Sequence, residues 1–327
     1  MTLVLPSTAD GIARAAALLS AGGLVALPTE TVYGLGADAT SSTAAARIYA
    51  AKGRPSFNPL IAHVPDLASA EREGVFDDTA RKLAEAFWPG PLTLVVPIAP
   101  SCSVADLARA GLASIGLRVP SHPAAQALMR AFGRPIAAPS ANRSGHVSPT
   151  SAAHVLADLD GRIDAVLDGG NAEAGLESTI IACVDGAAYL LRPGVITRAM
   201  ASAVIGQPVR DMAGADDADA PVSPGRLASH YAPRAAVRLD IDRVQPGEAV
   251  LTFANARPAG LETARIVRNL SESGNLVEAA SNLYDFLRFL DDSGVPSIAI
   301  VKIPATGLGE AINDRLQRAA APRPLLK

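Results

Sequence analysis

Cysteine is almost missing from this chain. Cys102 and Cys183 are the only two in 327 residues. They lie far apart without metal or redox spacing, which excludes a disulfide framework or a zinc ribbon and predicts free, buried thiols in a reducing compartment. Lysine is scarce too. Only Lys52, Lys82, Lys302 and Lys327 occur, so a lysine inside a motif stands out where arginine would have supplied the charge. No apolar run reaches ~18 residues, so no spanning helix is expected. Met1–Ala26 has no basic leader, is interrupted by Asp10 and Arg14, and reads as an amphipathic helix rather than a signal peptide. Three enzyme signatures are absent: G-x-x-x-x-G-K-[ST], the third glycine of a dinucleotide fingerprint after Gly34-Leu35-Gly36 or Gly307-Leu308-Gly309, and G-x-S-x-G. His122, His146 and His154 show no ligand spacing, and no metal site is assigned. Charged residues make up only 19%, and the net charge is -3. That balance excludes a mostly disordered chain and argues against a protein built to wrap nucleic acid.

Apolar residues at 49% support a sizeable core, and the length suggests two domains. Short apolar or β-branched runs read as strands: Leu24–Leu27, Leu60–Val64, Leu92–Ile98, Ser114–Val119, Ile136–Ala138, Ala165–Leu167, Ser178–Val184 and Tyr189–Leu191. Helical spacing marks Thr8–Leu19, Ser41–Ala51, Thr79–Phe87, Pro123–Phe132 and Ser151–Ala157. Thr29–Gly36 reads as a loop at the C-terminal end of a strand. From Gln207 to Pro233 the character changes; Met212–Pro221 is acidic and Ala-rich, and Pro224-Gly225 marks a turn. Beyond it, strands at Val237–Ile241, Ala249–Phe253, Arg265–Arg268 and Ser297–Ile303 are interleaved with helices at Leu276–Leu290 and Leu308–Ala320, as in a small parallel α/β domain. The expected division is residues 1–206, a linker at 207–234, and a second domain at 235–327.

The richest stretch runs from Leu27 to His63. It sets the hydroxyls of Thr29 and Thr31 and two glycines close to Lys52, Arg54, Asn58 and His63. Lys52 and Arg54 are two apart, and in extended chain they point the same way. Such a pair suits a polyphosphate, or it caps a helix in a solvated turn. Ser140-Ala141-Asn142 follows a strand and is either turn chemistry or ligand contact. Arg118 is a charge inside an apolar strand and needs a partner or a ligand carboxylate. Arg192 ends a strand in a similar way. Ser178-Thr179 supplies hydroxyls or simply starts a strand. His63 is a hydrogen-bonded core histidine or a participant in chemistry, and Trp88-Pro-Gly-Pro is packing and a turn. These residues point to a two-domain α/β protein with a cationic, hydroxyl-lined cleft for a phosphate-bearing ligand. The reaction does not follow from them.

The ordered combination is more specific than its parts. Pro28-Thr-Glu-Thr-Val-Tyr-Gly-Leu-Gly-Ala37, Lys52-Gly-Arg-Pro-x-x-Asn-Pro-Leu-Ile-x-His63, Trp88-Pro-Gly-Pro-Leu-Thr93, Arg118-x-Pro-x-His-Pro123, Ala138-Pro-Ser-Ala-Asn-x-Ser-Gly145, Ser148-Pro-Thr150 and Glu177-Ser-Thr179 follow one another. Over residues 8–206 the chain resembles the YrdC-type threonylcarbamoyl-AMP synthases. Ser223-Pro-Gly, His230-Tyr-Ala-Pro233 and Gly307–Leu316 are similar to the linker and tail of their longer, two-domain form. Between the two linker motifs this chain has Arg226-Leu227-Ala228-Ser229, where that family has Met with basic or aromatic residues.

The resemblance implies a YrdC-like twisted open mixed sheet with a smaller Rossmann-like α/β C-terminal domain. It implies a nucleotidyltransferase that condenses L-threonine, bicarbonate and ATP into threonylcarbamoyl-AMP and pyrophosphate, for N6-threonylcarbamoyl modification of tRNA beside the anticodon. It places Lys52, Arg54 and Asn58 on the phosphates, Lys52 and Arg54 as the catalytic pair. Ser114, Ser140, Asn142, Ser148, Arg192, His230 and Tyr231 complete the ATP site. Thr31, His63, Arg118, Ala138 and Ser178 are placed around threonine, Arg118 against its carboxylate. Mg2+ enters with ATP. The implied setting is cytoplasmic, without a membrane, with hand-off to a tRNA threonylcarbamoyl-transferase and weak contact with tRNA. A carbamoyl-transfer module of the hydrogenase-maturation type is a second reading, disfavoured by the two isolated cysteines. An RNA-binding module is a third, disfavoured by the net charge of -3.

Overall fold

The computed structural model describes residues 1–212 and 231–322. One mixed sheet holds β1 (Leu3–Pro6), β2 (Val25–Leu27), β3 (Gly34–Asp38), β4 (Ile61–His63), β5 (Leu92–Pro97), β6 (Ser114–Arg118), β7 (Ile136–Ala137), β8 (Ala165–Asp168), β9 (Thr179–Val184), β10 (Ala187–Arg192) and β11 (Arg210–Asp211). Their order is β1-β8-β2-β3-β7-β4-β6-β5-β9-β10-β11. A second sheet, all parallel, runs β12-β15-β13-β14, with β12 at Ala236–Arg238, β13 at Ala249–Thr252, β14 at Ile266–Asn269 and β15 at Ser297–Ile300. The first sheet is packed with α1 (Ala9–Ser20), α2 (Ser42–Lys52), α3 (Leu67–Glu73), α4 (Asp78–Phe87), α5 (Pro123–Phe132), α6 (Ala152–Leu159) and α7 (Arg198–Ile205); the second carries α8 (Leu276–Asp292) and α9 (Leu308–Ala320). This is the mixed α/β architecture expected, with a Rossmann-like second unit.

Local chemistry sets the helix ends. Thr8, Ser41, Asp77 and Ser151 each accept a backbone N–H of the first turn with a side-chain oxygen, which satisfies a donor the helix itself leaves unpaired. Gly53 ends α2 in the left-handed region at φ 61°, where glycine carries no steric cost. That turn folds Lys52 and Arg54 out of the extended geometry expected of them.

Gly34–Asp38 is a strand, where a loop is expected from Thr29 to Gly36. It pairs antiparallel with both β2 and β7. A Cβ on Gly36 would stand 2.8 Å from a Leu27 methyl and 2.9 Å from the Val25 carbonyl oxygen. This glycine therefore serves strand packing, not ligand approach. The N-terminal apolar segment divides into β1 and α1, and β1 pairs parallel with β8. Cys183 is buried but Cys102 only partly so. In the stretch expected to link the domains, Arg210–Asp211 adds a short strand beside β10. Ser223-Pro-Gly, Arg226–Ser229 and His230 lie outside the described residues. No described helix is long and apolar enough to cross a membrane.

The second core is not sealed by its own residues alone. Val32, Val147 and Leu176, on loops of the first unit, share one apolar cluster with Leu283, Tyr284 and Leu287 of α8. Arg288 of α8 reaches back to Asp158 at 2.9 Å and to the Val147 carbonyl. The segments carrying Ser148 and Glu177 are thereby clamped between the two units.

Candidate active site

The register of the first sheet gathers polar residues at one set of strand ends. β4 and β6 are parallel with His63 opposite Arg118, so both side chains leave on one face. Ala138, Pro139 and Ser140 follow β7 beside them; Ser178 precedes β9, and Arg192 ends the neighbouring β10. Thr31 sits in the turn between β2 and β3. Together with Arg54, Glu177 and Tyr231 these residues line a cleft of about 500 Å³, including the part open to solvent.

The cations of this cleft are buried, and they divide by partner. Arg118 has a carboxylate: its Nη2 donates to Glu30 Oε1 at 2.7 Å and to Thr31 Oγ1 at 2.8 Å, and its Nε donates to the Gly90 carbonyl at 3.4 Å. The Trp88-Pro-Gly-Pro turn thus presents a backbone acceptor to the site. Among the described residues, Lys52, Arg54 and Arg192 have only backbone and hydroxyl partners. Lys52 Nζ donates to the Ser140 and Asn142 carbonyls. Arg54 Nη2 donates to the Pro59 carbonyl at 3.2 Å, while its buried Nε has no partner among the described residues. Arg192 donates to the Ser178 carbonyl at 2.9 Å and to Ser178 Oγ at 3.1 Å. None of the three forms an ion pair among the described residues, although each is less than 9% exposed.

Burial drives the electrostatics. Desolvation and the neighbouring Arg54 push the Lys52 ammonium well below the usual lysine range. Burial lowers Arg54 to about 10. Burial and the charge of Arg118 lower His63 to about 3, against the pull of the Ile61 and Ile136 carbonyls, so its imidazole is neutral. Glu177 behaves oppositely. Burial alone would raise its carboxyl, but Arg315, Arg192 and a Ser148 hydrogen bond bring it down to about 2.

Of the residues expected in the site, the cleft brings together Thr31, Arg54, His63, Arg118, Ala138, Ser140, Ser178, Arg192 and Tyr231. Lys52 joins through its bonds to the Ser140–Asn142 loop. It is a buried residue at the end of α2, 4% exposed, and not the solvated turn lysine that its place before Gly53 allows. Asn58 is fully buried, and both atoms of its amide lack partners among the described residues; so does Asn142 Oδ1. Unsatisfied buried amides are costly in a native fold, and their place beside the cations fits a polar ligand. Ser148 Oγ donates to Glu177 Oε1 at 2.5 Å and so touches the site through that carboxylate. Ser114 starts β6, four residues before Arg118, and is not part of the cleft lining. His230 is outside the described residues. Tyr231, whose φ of 62° lies in the left-handed region, packs its ring 5.8 Å from that of Tyr284.

Four neighbours of the cleft carry no expected role, although Glu30, Thr93 and Arg315 stand within the sequence motifs. Glu30 holds Arg118. Thr93 Oγ1 lies 2.8 Å from Ser178 Oγ. Tyr284 and Arg315 both reach Glu177 from the second unit, each at 2.7 Å. Arg315 leaves a signal in the sequence. It falls with Ile312, Leu316 and Ala319 on the buried face of α9, and a charge on an apolar stripe calls for a partner.

A family profile described as "Telomere recombination", covering the Sua5, YciO and YrdC proteins, matches residues 17–194. A second, described as "Threonylcarbamoyl-AMP synthase, C-terminal domain", matches residues 196–321. The chain is 44% identical over 324 residues to a threonylcarbamoyl-AMP synthase of Bacillus subtilis (strain 168), covering 95% of this chain and 93% of the relative. It is 39% identical to the Pyrococcus abyssi (strain GE5 / Orsay) enzyme of the same name, covering 94% of each. The crystal structure of P. abyssi Sua5 complexed with L-threonine superposes with a TM-score of 0.88 at 35% identity, over 98% of this chain and 97% of that one. The crystal structure of E. coli YciO, at 24% identity, a TM-score of 0.53 and 60% of this chain against 97% of its own, shares the fold of the first unit.

Proposed function

This chain belongs to the Sua5, YciO and YrdC family in its two-domain form, and from that premise we propose how its cleft residues divide the work of the family's reaction. The reaction is the synthesis of threonylcarbamoyl-AMP from L-threonine, bicarbonate or CO2, and ATP, with release of pyrophosphate, for tRNA modification. One observation carries the assignment of roles: three buried cations, Arg54 and Arg192 in the cleft lining and Lys52 beside it, form no ion pair with a carboxylate among the described residues. Buried cations without counter-ions are unstable unless a polyanion supplies the charge. A triphosphate does.

The chemistry asks for alignment and charge neutralisation more than for a protein nucleophile. The unprotonated threonine amine takes up CO2, forming an N–C bond and losing a proton. A carbamate oxygen then attacks the α-phosphate, and pyrophosphate leaves with the broken P–O bond pair. Arg118 and Thr31 receive the threonine carboxylate, with Ala138 and the hydroxyl of Ser178 beside it. Neutral His63 borders this subsite without adding positive charge next to the amine. Lys52 and Arg54 hold the phosphates and spread the charge that develops on the leaving group. Asn58 offers both amide atoms and Asn142 its Oδ1, none of which has a partner among the described residues, and Ser114, Ser140, Ser148, Arg192, His230 and Tyr231 are assigned to the nucleotide. Mg2+ enters as part of the ATP substrate; the donors of the cleft, guanidinium, ammonium and hydroxyl, suit phosphate oxygens rather than a metal.

A cytoplasmic setting, hand-off of the adenylate to a tRNA threonylcarbamoyl-transferase and weak contact with tRNA belong to the same proposal. Pyrophosphate release from ATP, with threonine and bicarbonate added singly and together, tests it. Release is expected only with all three. Release without threonine, or none with the full set, refutes the reading. Tight tRNA binding without ATP in a salt titration would favour an RNA-binding module instead.

A further inference from the structure

The second domain sends one charged side chain into the wall of the cleft. Arg315, on α9, is fully buried. Its Nε donates to Glu177 Oε2 at 2.7 Å, and its Nη2 donates to the Pro193 carbonyl at 2.9 Å. The same carboxylate accepts Tyr284 OH at 2.7 Å and Ser148 Oγ at 2.5 Å. Glu177 immediately precedes Ser178, and Pro193 immediately follows Arg192. One guanidinium therefore spans the two segments whose next residues are bonded to each other, since Arg192 donates to both the carbonyl and the hydroxyl of Ser178. These segments are in direct backbone contact: a Cβ on Gly194 would stand 2.5 Å from the Thr179 nitrogen and 2.6 Å from the Glu177 oxygen.

Glu177 lines the cleft with Arg192, yet the two form no ion pair among the described residues. Their charges still act on one another, because Arg192 helps to hold the Glu177 carboxyl down. A buried carboxylate that loses its cation is left uncompensated at high cost, and the remaining cation whose charge already acts on Glu177 is Arg192. Resting on the function proposed above, we infer that Arg315 is a positioning residue for the ATP site: it holds the Glu177 carboxylate so that Arg192 stays without an acidic partner until phosphate arrives. Domain adhesion alone does not explain the arrangement. An apolar pair of the same volume would join the domains without desolvating two charges, and Arg288 already ties α8 to Asp158.

Calorimetric titration of Mg2+–ATP into the full-length chain, without threonine, reads this separately from turnover. R315M is expected to weaken ATP binding at least ~10-fold, the lower range for exposing a buried charge to a wrong partner. The double variant E177Q/R315M should regain most of that loss, because no carboxylate is left to neutralise Arg192. E177Q alone should bind ATP at least as well as the parent chain. Unchanged ATP affinity in R315M, or a double variant as weak as R315M, overturns the inference. If thermal melting shows R315M to be unfolded, E177Q decides: equal or tighter binding supports it, weaker binding overturns it. A parent chain that does not bind ATP refutes the function reading itself, and this inference with it.

Discussion

The two ends of the cleft treat their cations in opposite ways. At the end proposed for threonine, Arg118 is already matched by Glu30 at 2.7 Å and by the Thr31 hydroxyl. At the end proposed for the phosphates, Lys52, Arg54 and Arg192 rest on carbonyls and a hydroxyl among the described residues, and the carboxylate that shares the cleft lining with Arg192, Glu177, is held by a residue of the other domain. The difference matches the ligands proposed for the two ends. An amino acid brings one carboxylate and exchanges places with a single internal acid at little electrostatic cost. A triphosphate brings several charges, and a site that neutralised its own cations would bind it poorly. The phosphate end therefore carries charge that the fold alone does not balance, and function there opposes stability.

Replacing Lys52 tests that contrast with the largest expected effect. Lys52→Met should cut turnover about 1,000-fold, in the range seen when one preorganised electrostatic contact is removed from a water-poor site. Its thermal midpoint should move little, because the two lost carbonyl bonds are offset by relief of a buried ammonium. The original residue is not an exposed lysine, so this balance, not solvent exposure, is what leaves the fold standing. Pyrophosphate release and a thermal melt on the same sample measure both quantities. A variant that melts far below the parent would show that the phosphate end is a stabilising network, and the contrast between the ends would fail.

Arg118→Ala should act more narrowly. It should raise the threonine KM about 100-fold, as expected when one partner of a buried charge pair is removed, while the ATP KM stays within a few-fold. Separate titrations of the two substrates give the split. Equal losses on both would mean that Arg118 organises the whole cleft through Glu30 and the Gly90 carbonyl, and the two ends would no longer be independent.

Much of this was legible in the residues. Helix limits followed from caps such as Thr8, Ser41 and Gly53, because capping is a local matter of one side chain and one turn. Most strands followed from β-branched runs. The exceptions have physical causes. β3 is built around Gly34 and Gly36, residues of low strand propensity, and Gly36 is needed where Leu27 and Ile136 crowd the pleat. α3 has only seven residues, too few to show a period. In the site, the residues on strand-end loops stood out as motifs, and the resemblance sorted them between two substrates. The residues that hold them did not. Glu30 reads as one more polar residue between two threonines, and its bond to Arg118 spans 88 positions of chain. Arg315 lies 138 positions from Glu177. The first pairing is made by packing within the first sheet and the second by docking of the two units, and neither leaves a spacing in the sequence.

The smallest effect concerns His63 and pH, and it probes the threonine end through stability instead of turnover. Its folded value of about 3 lies below the usual histidine value of 6.5. Between those limits the unfolded chain binds a proton that the native chain does not, so this residue contributes stability above pH 6.5 that is lost as the pH falls. One such group amounts to about 2 kcal/mol between pH 7 and pH 5. Glu177 adds little in that window, because its folded value of about 2 sits below the ordinary 4.5 and most of its contribution is lost on further acidification. Urea unfolding of the parent chain and of His63→Asn at the two pH values isolates the term: the parent should lose more stability on acidification than the variant. Activity should show no His63 titration from pH 6 to 8, since the imidazole stays neutral throughout. Equal acid sensitivity in the two proteins would mean that His63 takes up its proton in the native state, and that the threonine end, like the phosphate end, tolerates a cation the fold does not pair.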